Sequence, residues 1–68
     1  MENITIQVGG MTCQGCVNSV TTVLSALPGV ADVSVSLADG KAVVRYDGSI
    51  VSPIVLRDAI EAAGFDAA

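Results

Sequence analysis

The sequence predicts an α+β fold of order β-α-β-β-α-β, a four-stranded antiparallel sheet with two helices on one face. Three observations predict it. Apolar residues alternate at period two in three separate runs, recur at helical spacing in two others, and meet glycine or proline between runs. A sheet covered on one side needs strands with one apolar and one wet face, as the alternation supplies.

The first run sets Ile4, Ile6 and Val8 against Thr5 and Gln7, a half-buried strand. Gly9 and Gly10 stop it and open a loop holding Met11, Thr12 and Cys13. Cys16, Val20, Val23, Leu24 and Leu27 then fall at helical spacing, opposite Asn18, Ser19, Thr22 and Ser25, and Pro28-Gly29 ends the helix. This helix is rich in β-branched residues, so packing must hold it. Val33, Val35 and Leu37 alternate with Asp32, Ser34 and Ser36 as a second strand. Asp39-Gly40 is a hairpin signal that returns the chain as a third strand from Lys41 to Asp47. Ala42, Val44 and Tyr46 form its apolar face; Val43 lies on the other with Lys41 and Arg45. Ser52-Pro53 reads as N-cap and first residue of a second helix, with Leu56, Ala59, Ile60 and Ala63 as core stripe and Gly64 as C-terminal cap. Phe65 to Ala67 has the length of a short final strand. On one sheet, this order is the ferredoxin-like arrangement. Residues 1–68 make a single domain without linker, repeat or low-complexity stretch.

Seven acids against three bases give a net charge of −4, and the chain has no histidine and no tryptophan. Ser-His-Asp, Cys-His and His-zinc chemistry are thereby excluded. Three cations cannot neutralise a phosphate track, so no nucleic-acid partner is expected. No stretch approaches the ~20 apolar residues of a membrane helix, and Met1-Glu2-Asn3-Ile4 lacks the positive leader of a secretory signal. The chain as written is therefore expected to be soluble and cytoplasmic, without direct membrane insertion. Its acidity predicts a basic docking face on any partner. Asp32, Asp39, Asp47, Asp58 and Glu61 read as solvated surface.

The chemistry sits at Cys13 and Cys16. Three residues apart at a loop-to-helix junction, their Cβ atoms lie roughly 5–6 Å apart or closer, so both sulfurs can meet one small ion. Amides at a helix N-terminus favour negative charge and populate the thiolate. Structural zinc wants four ligands and calcium or magnesium wants clustered oxygens, none of which the loop offers. Two soft thiolates suit Cu(I) in near-linear geometry, and Ag(I) and Hg(II) share the preference. Such a site is coordinatively unsaturated: an incoming thiolate attaches before an old one leaves, so metal passes between proteins without a free ion. A C-x-x-C pair by itself also admits a thiol-redox or structural reading. The redox reading expects a longer thioredoxin-like chain with an aromatic before the first cysteine, where this one has Thr12. Cys16 falls on the apolar helical stripe and is partly core on that reading; Cys13 in the loop is not.

Gly10-Met11-Thr12-Cys13-Gln14-Gly15-Cys16 resembles the G-M-T-C-x-x-C signature of the heavy-metal-associated domain family. Leu27-Pro28-Gly29-Val30, Lys41-Ala42-Val43-Val44 and Ile60-Glu61-Ala62-Ala63-Gly64-Phe65 extend the similarity over the whole chain. The resemblance implies a non-enzymatic copper chaperone with Cys13 and Cys16 as ligands, exchanging Cu(I) with a copper-transporting P-type ATPase or another metal-binding domain. It implies a metal loop supported by Gly10, Met11, Thr12, Gly15 and Phe65. In the family Met11 packs inward beneath the loop, and Thr12 stands where zinc and cadmium members often carry an acid, favouring copper. Phe65 matches ATPase modules rather than bacterial chaperones, which often have tyrosine. An excised ATPase module is accordingly the alternative within the family, and a small C-x-x-C redox protein the one outside it. The apo chain is expected to be monomeric, with a metal-bridged dimer open when loaded.

Overall fold

The computed structural model describes residues 1–68. Its elements are β1 (Glu2–Gly9), α1 (Gln14–Ser25), β2 (Val30–Ser36), β3 (Lys41–Tyr46), α2 (Pro53–Ala62) and β4 (Asp66–Ala67). The strands form one antiparallel sheet in the order β2-β3-β1-β4. Element order and sheet are those the alternation predicts, and the fold is ferredoxin-like.

Register explains why one face is dry. Ile4 pairs with Val44 and Ile6 with Ala42, while Val33 and Val35 of β2 pair with the same two β3 residues. Apolar side chains of three strands therefore lie in rows on one side. Both helices cover that side, and the core joins Ile6, Val8, Val20, Leu24, Ala42, Val44, Tyr46, Val51, Leu56 and Ile60.

α1 forms despite its composition. Val17, Val20, Thr21, Thr22 and Val23 are β-branched, each costing at most ~0.7 kcal/mol relative to alanine. Val20 and Leu24 are fully buried, and each such burial is worth about 1.5–3 kcal/mol; with the half-buried positions beside them, packing wins. α2 is better signalled: Ser52 accepts a hydrogen bond from the Val55 N–H, and Pro53 opens the helix.

Details differ from the sequence expectation. Leu37 lies in the β2–β3 turn and is 38% exposed, not a strand residue facing the core. The strand stops one residue earlier because Leu37 to Gly40 make the turn. β3 ends at Tyr46 rather than Asp47, and β4 keeps only Asp66 and Ala67. Val17 and Val51 join the buried set although neither belongs to the expected stripes.

The connections gather at one pole. The Val8 N–H donates to the Gly40 carbonyl at 2.7 Å, and Gly9 pairs with Asp66. The β1–α1 loop, the β2–β3 turn and the start of β4 thus meet at the end of the sheet where α1 begins.

Candidate metal site

Cys13 is the N-cap of α1, in extended conformation at φ −154° and ψ 169°. Its carbonyl accepts from the Cys16 and Val17 N–H groups, starting the helix. A serine or aspartate there would engage a backbone amide with its side-chain oxygen. Sulfur is a weak acceptor, and the Cys13 side chain caps nothing. It is exposed and free, while Cys16, one turn along, is free and half-buried.

The two Sγ atoms lie 3.3 Å apart. Gly15 faces this pair: a Cβ at its position would stand 3.7 Å from the Cys13 sulfur. That is ordinary van der Waals contact, so the glycine lies directly against the Cys13 sulfur. Thr12 turns its Oγ1 toward the Cys16 Sγ at 4.0 Å.

These neighbours shift the acidity of Cys16. Its thiol is lowered from 9.0 to about 7, first by the Thr12 backbone and next by the Cys13 side chain, with desolvation opposing. About half of Cys16 is then thiolate near neutral pH, the form that binds soft metals and attacks disulfides. The direction is the one that the helix N-terminus predicts.

Around the pair, Gly10 has φ +94°, a conformation open to glycine and strained for other residues. Met11 is half-buried and packs against the core cluster. Phe65 also packs on the core, its Cδ1 3.7 Å from where a Gly10 Cβ would be. Gly10, Met11, Thr12, Gly15 and Phe65 all sit at this pole with Cys13 and Cys16. The contact of Thr12 with Cys16 is one that the sequence reading missed; the signal for it is their four-residue spacing across the N-cap.

Nowhere do three or more histidine, cysteine, aspartate or glutamate side chains converge as a metal cage. The arrangement offers two sulfur donors on an exposed tip. It can hold a soft ion that accepts two ligands, or undergo two-electron thiol oxidation; it cannot build a closed tetrahedral zinc site from its own residues.

Comparison with known proteins extends this geometry. The profile of the heavy-metal-associated domain matches residues 5–66. The chain is 47% identical over 68 residues to the copper chaperone CopZ of Bacillus subtilis (strain 168), covering 100% of this chain and 99% of that protein. It is 52% identical over 62 residues to Copper-transporting ATPase 2 of Homo sapiens, covering 91% of this chain but 4% of the ATPase. Its fold superposes on the copper-binding domain from HMA7, a P-type ATPase, with TM-score 0.98 and 40% identity, covering 100% of this chain and 92% of that one. With a profile running from the first strand into the last and a CopZ alignment spanning both chains, the paired sulfurs stand in a known frame: this chain belongs to the heavy-metal-associated domain family.

Proposed function

We propose that this chain is a copper carrier, binding Cu(I) between the thiolates of Cys13 and Cys16 and handing it to a partner domain by ligand exchange. One observation carries the reading: two sulfurs 3.3 Å apart on an exposed helix tip, with no cluster of three histidine, cysteine or carboxylate donors formed around them. Cu(I) accepts two soft ligands in near-linear geometry, so two thiolates suffice to bind it. They do not enclose it. A partner thiolate adds to the bound ion, one of the two original sulfurs leaves, and the second follows after another partner sulfur attaches. Copper stays Cu(I) throughout, and the released sulfurs are left as thiolates or take up protons. The chain catalyses no reaction on a substrate; the ion is its cargo, and Ag(I) and Hg(II) share the chemistry that would admit them.

Gly10, Met11, Thr12, Gly15 and Phe65 act in this reading as the frame of the loop. Gly10 bends it, Met11 and Phe65 anchor it to the core, Gly15 packs against the Cys13 sulfur, and Thr12 supports the Cys16 thiolate. A partner with the same two-sulfur chemistry is expected, either the metal-binding domain of a copper-transporting P-type ATPase or another domain of this family. The likeness to CopZ over the full length of both chains favours the chaperone reading. The 52% identity to a segment of a copper-transporting ATPase favours a module of such a pump as the second reading, with the same binding site.

Anaerobic titration with Cu(I) against a competing chelator tests the site. One ion per reduced chain is expected, with binding lost in Cys13→Ser and in Cys16→Ser. Either variant retaining wild-type affinity, or X-ray absorption showing four protein donors around the ion, would overturn the carrier reading.

A further inference from the structure

We propose that Asp39 is a modification site, where the carboxyl closes on the Gly40 nitrogen to a succinimide and reopens to isoaspartate. The same dipeptide at Asp47-Gly48 is held inert by the fold.

The chain carries two Asp-Gly dipeptides, Asp39-Gly40 in the β2–β3 turn and Asp47-Gly48 between β3 and α2. In both, the residue after the aspartate has no side chain to crowd an attack by its own nitrogen on the carboxyl carbon. Neither Gly40 nor Gly48 donates its N–H to a backbone carbonyl, so both nitrogens are free to react.

The two sites differ in what grips the acid. Asp47 is half-buried. Its Oδ1 accepts from the Ser49 hydroxyl at 2.7 Å and from the Ser49 N–H at 3.0 Å, and these donors hold the carboxyl below its ordinary range. Its main chain is fixed as well: the N–H donates to the Gly29 carbonyl at 2.7 Å, and the carbonyl accepts from Ile50 and Val51. Ring closure there must break two hydrogen bonds to a charged acceptor. Asp39 is exposed. Its carboxyl has one partner, the Ser36 hydroxyl at 3.3 Å, which also accepts from the Asp39 N–H at 3.3 Å; both contacts are longer than a strong hydrogen bond. Asp39 makes no backbone–backbone hydrogen bond.

The chemistry balances with water alone. The Gly40 nitrogen bonds to the Asp39 Cγ, a Cγ–O bond breaks, and that oxygen leaves as water with the amide proton and the acid proton. Water then adds to the Asp39 main-chain carbonyl carbon, and the bond from that carbon to the Gly40 nitrogen breaks. The chain now runs through Cβ and Cγ, and the former main-chain carbonyl is a free carboxylate. Nothing is oxidised or reduced, and mass and charge are unchanged.

The isomer disturbs the joint that the turn makes. The Gly40 carbonyl accepts the Val8 N–H at 2.7 Å, tying the turn to the end of β1. Gly40 sits at φ +64°, and an extra main-chain atom just ahead of it displaces that carbonyl.

The test ages metal-free, reduced protein at physiological temperature and counts isoaspartate at each dipeptide by peptide mapping and mass spectrometry. Methyl transfer by an isoaspartyl carboxyl methyltransferase, with labelled S-adenosylmethionine as donor, reads the same sites. Asp39 should convert at least ~tenfold faster than Asp47, the factor that one hydrogen bond to a charged group is worth. In urea the two rates should converge. Asp39→Glu should lose the methyl acceptance of the turn, since closure then needs a six-membered ring, and Ser49→Ala should speed Asp47. In the separated isoaspartyl form the Val8 amide should exchange its hydrogen at least ~tenfold faster, as a local opening requires. Equal rates at the two sites in folded protein, a difference that persists in urea, or an Asp39→Glu turn that accepts as much methyl overturns the proposal. So does an Asp47 rate that Ser49→Ala leaves unchanged. An isoaspartyl form whose Val8 amide exchanges as slowly as the parent's overturns the tie between turn and strand.

Discussion

Cys16 has its thiol lowered from 9.0 to about 7, with the Thr12 backbone as the largest cause. The folded state thus prefers the thiolate more than the unfolded chain does. The stability this contributes is complete above the unfolded value near pH 9, declines as pH falls between the two values, and is gone below about 7. Reactivity reports the same shift. Iodoacetamide labelling of Cys16, followed site by site by mass spectrometry, should rise with a midpoint near pH 7. Thr12→Ala removes the side-chain contribution, the smallest cause, and leaves the backbone in place, so its midpoint should rise only slightly. A wild-type midpoint near the ordinary cysteine value of about 8.5 would contradict the structure. Much of this was legible in the residues: the spacing of Cys13 and Cys16 places the sulfurs together, and the helix start gives the direction of the shift. The Thr12 contact was not read, although the four-residue spacing of Thr12 and Cys16 carries it, because Thr12 lies in the loop, where helical spacing is not the expectation.

At the scale of elements, strands were readable wherever one face had to be dry. Ile4, Ile6 and Val8 on β1 and Ala42, Val44 and Tyr46 on β3 alternate because the opposite face stays wet. Leu37 misled because it continues the alternation of Val33 and Val35 by one step, while the turn through Asp39-Gly40 claims it. Val51 was missed for the opposite reason: it lies between β3 and α2, where no period exists, and is buried beside an Ile50 that is 61% exposed. That same stretch fixes the α1–β2 connection. Gly29 has φ +89°, and a Cβ there would come within 2.8 Å of the Ile50 Cβ. Gly29→Ala should therefore cost about 2–5 kcal/mol, a left-handed penalty of ~1–2 plus overpacking of ~1–3. Gly64, at φ +97°, has nothing within 4 Å of the place a Cβ would take, so Gly64→Ala should lose only the ~1–2 kcal/mol backbone part. Urea denaturation of the two variants separates the contributions; equal losses would mean that Ile50 gives way freely.

Across the whole molecule the charges are segregated. No aspartate, glutamate, lysine or arginine occurs from Asn3 to Ala31, so the metal loop and all of α1 are uncharged apart from the cysteines themselves. The acids beyond Glu2 lie on β2, β3's far end, α2 and the connections, with Asp66 beside Gly9 at the metal pole. The ion pair of Arg45 with Asp32 spans 3.6 Å between side chains 54% and 72% exposed, and such a pair contributes little. A partner therefore meets a net charge of −4 at a distance and, at contact, a loop and helix with no charged residue of their own but with Asp66 beside Gly9. These two regimes respond differently to salt, because screening acts beyond a Debye length of ~10 Å at 0.1 M and ~3 Å at 1 M. Stopped-flow transfer of Cu(I) to a basic two-thiol acceptor should slow by about tenfold in its second-order constant between low and high salt, as steered encounters do. An acidic acceptor should show the reverse trend. The first-order exchange at saturating acceptor should change far less in both cases, since it takes place on a loop and helix with no charged residue other than the cysteines. A second-order constant indifferent to salt would show that the net charge does not guide docking. An exchange step that fell in parallel with it would place charged contacts at the sulfurs, with Asp66 the acid that this pole carries beside Gly9.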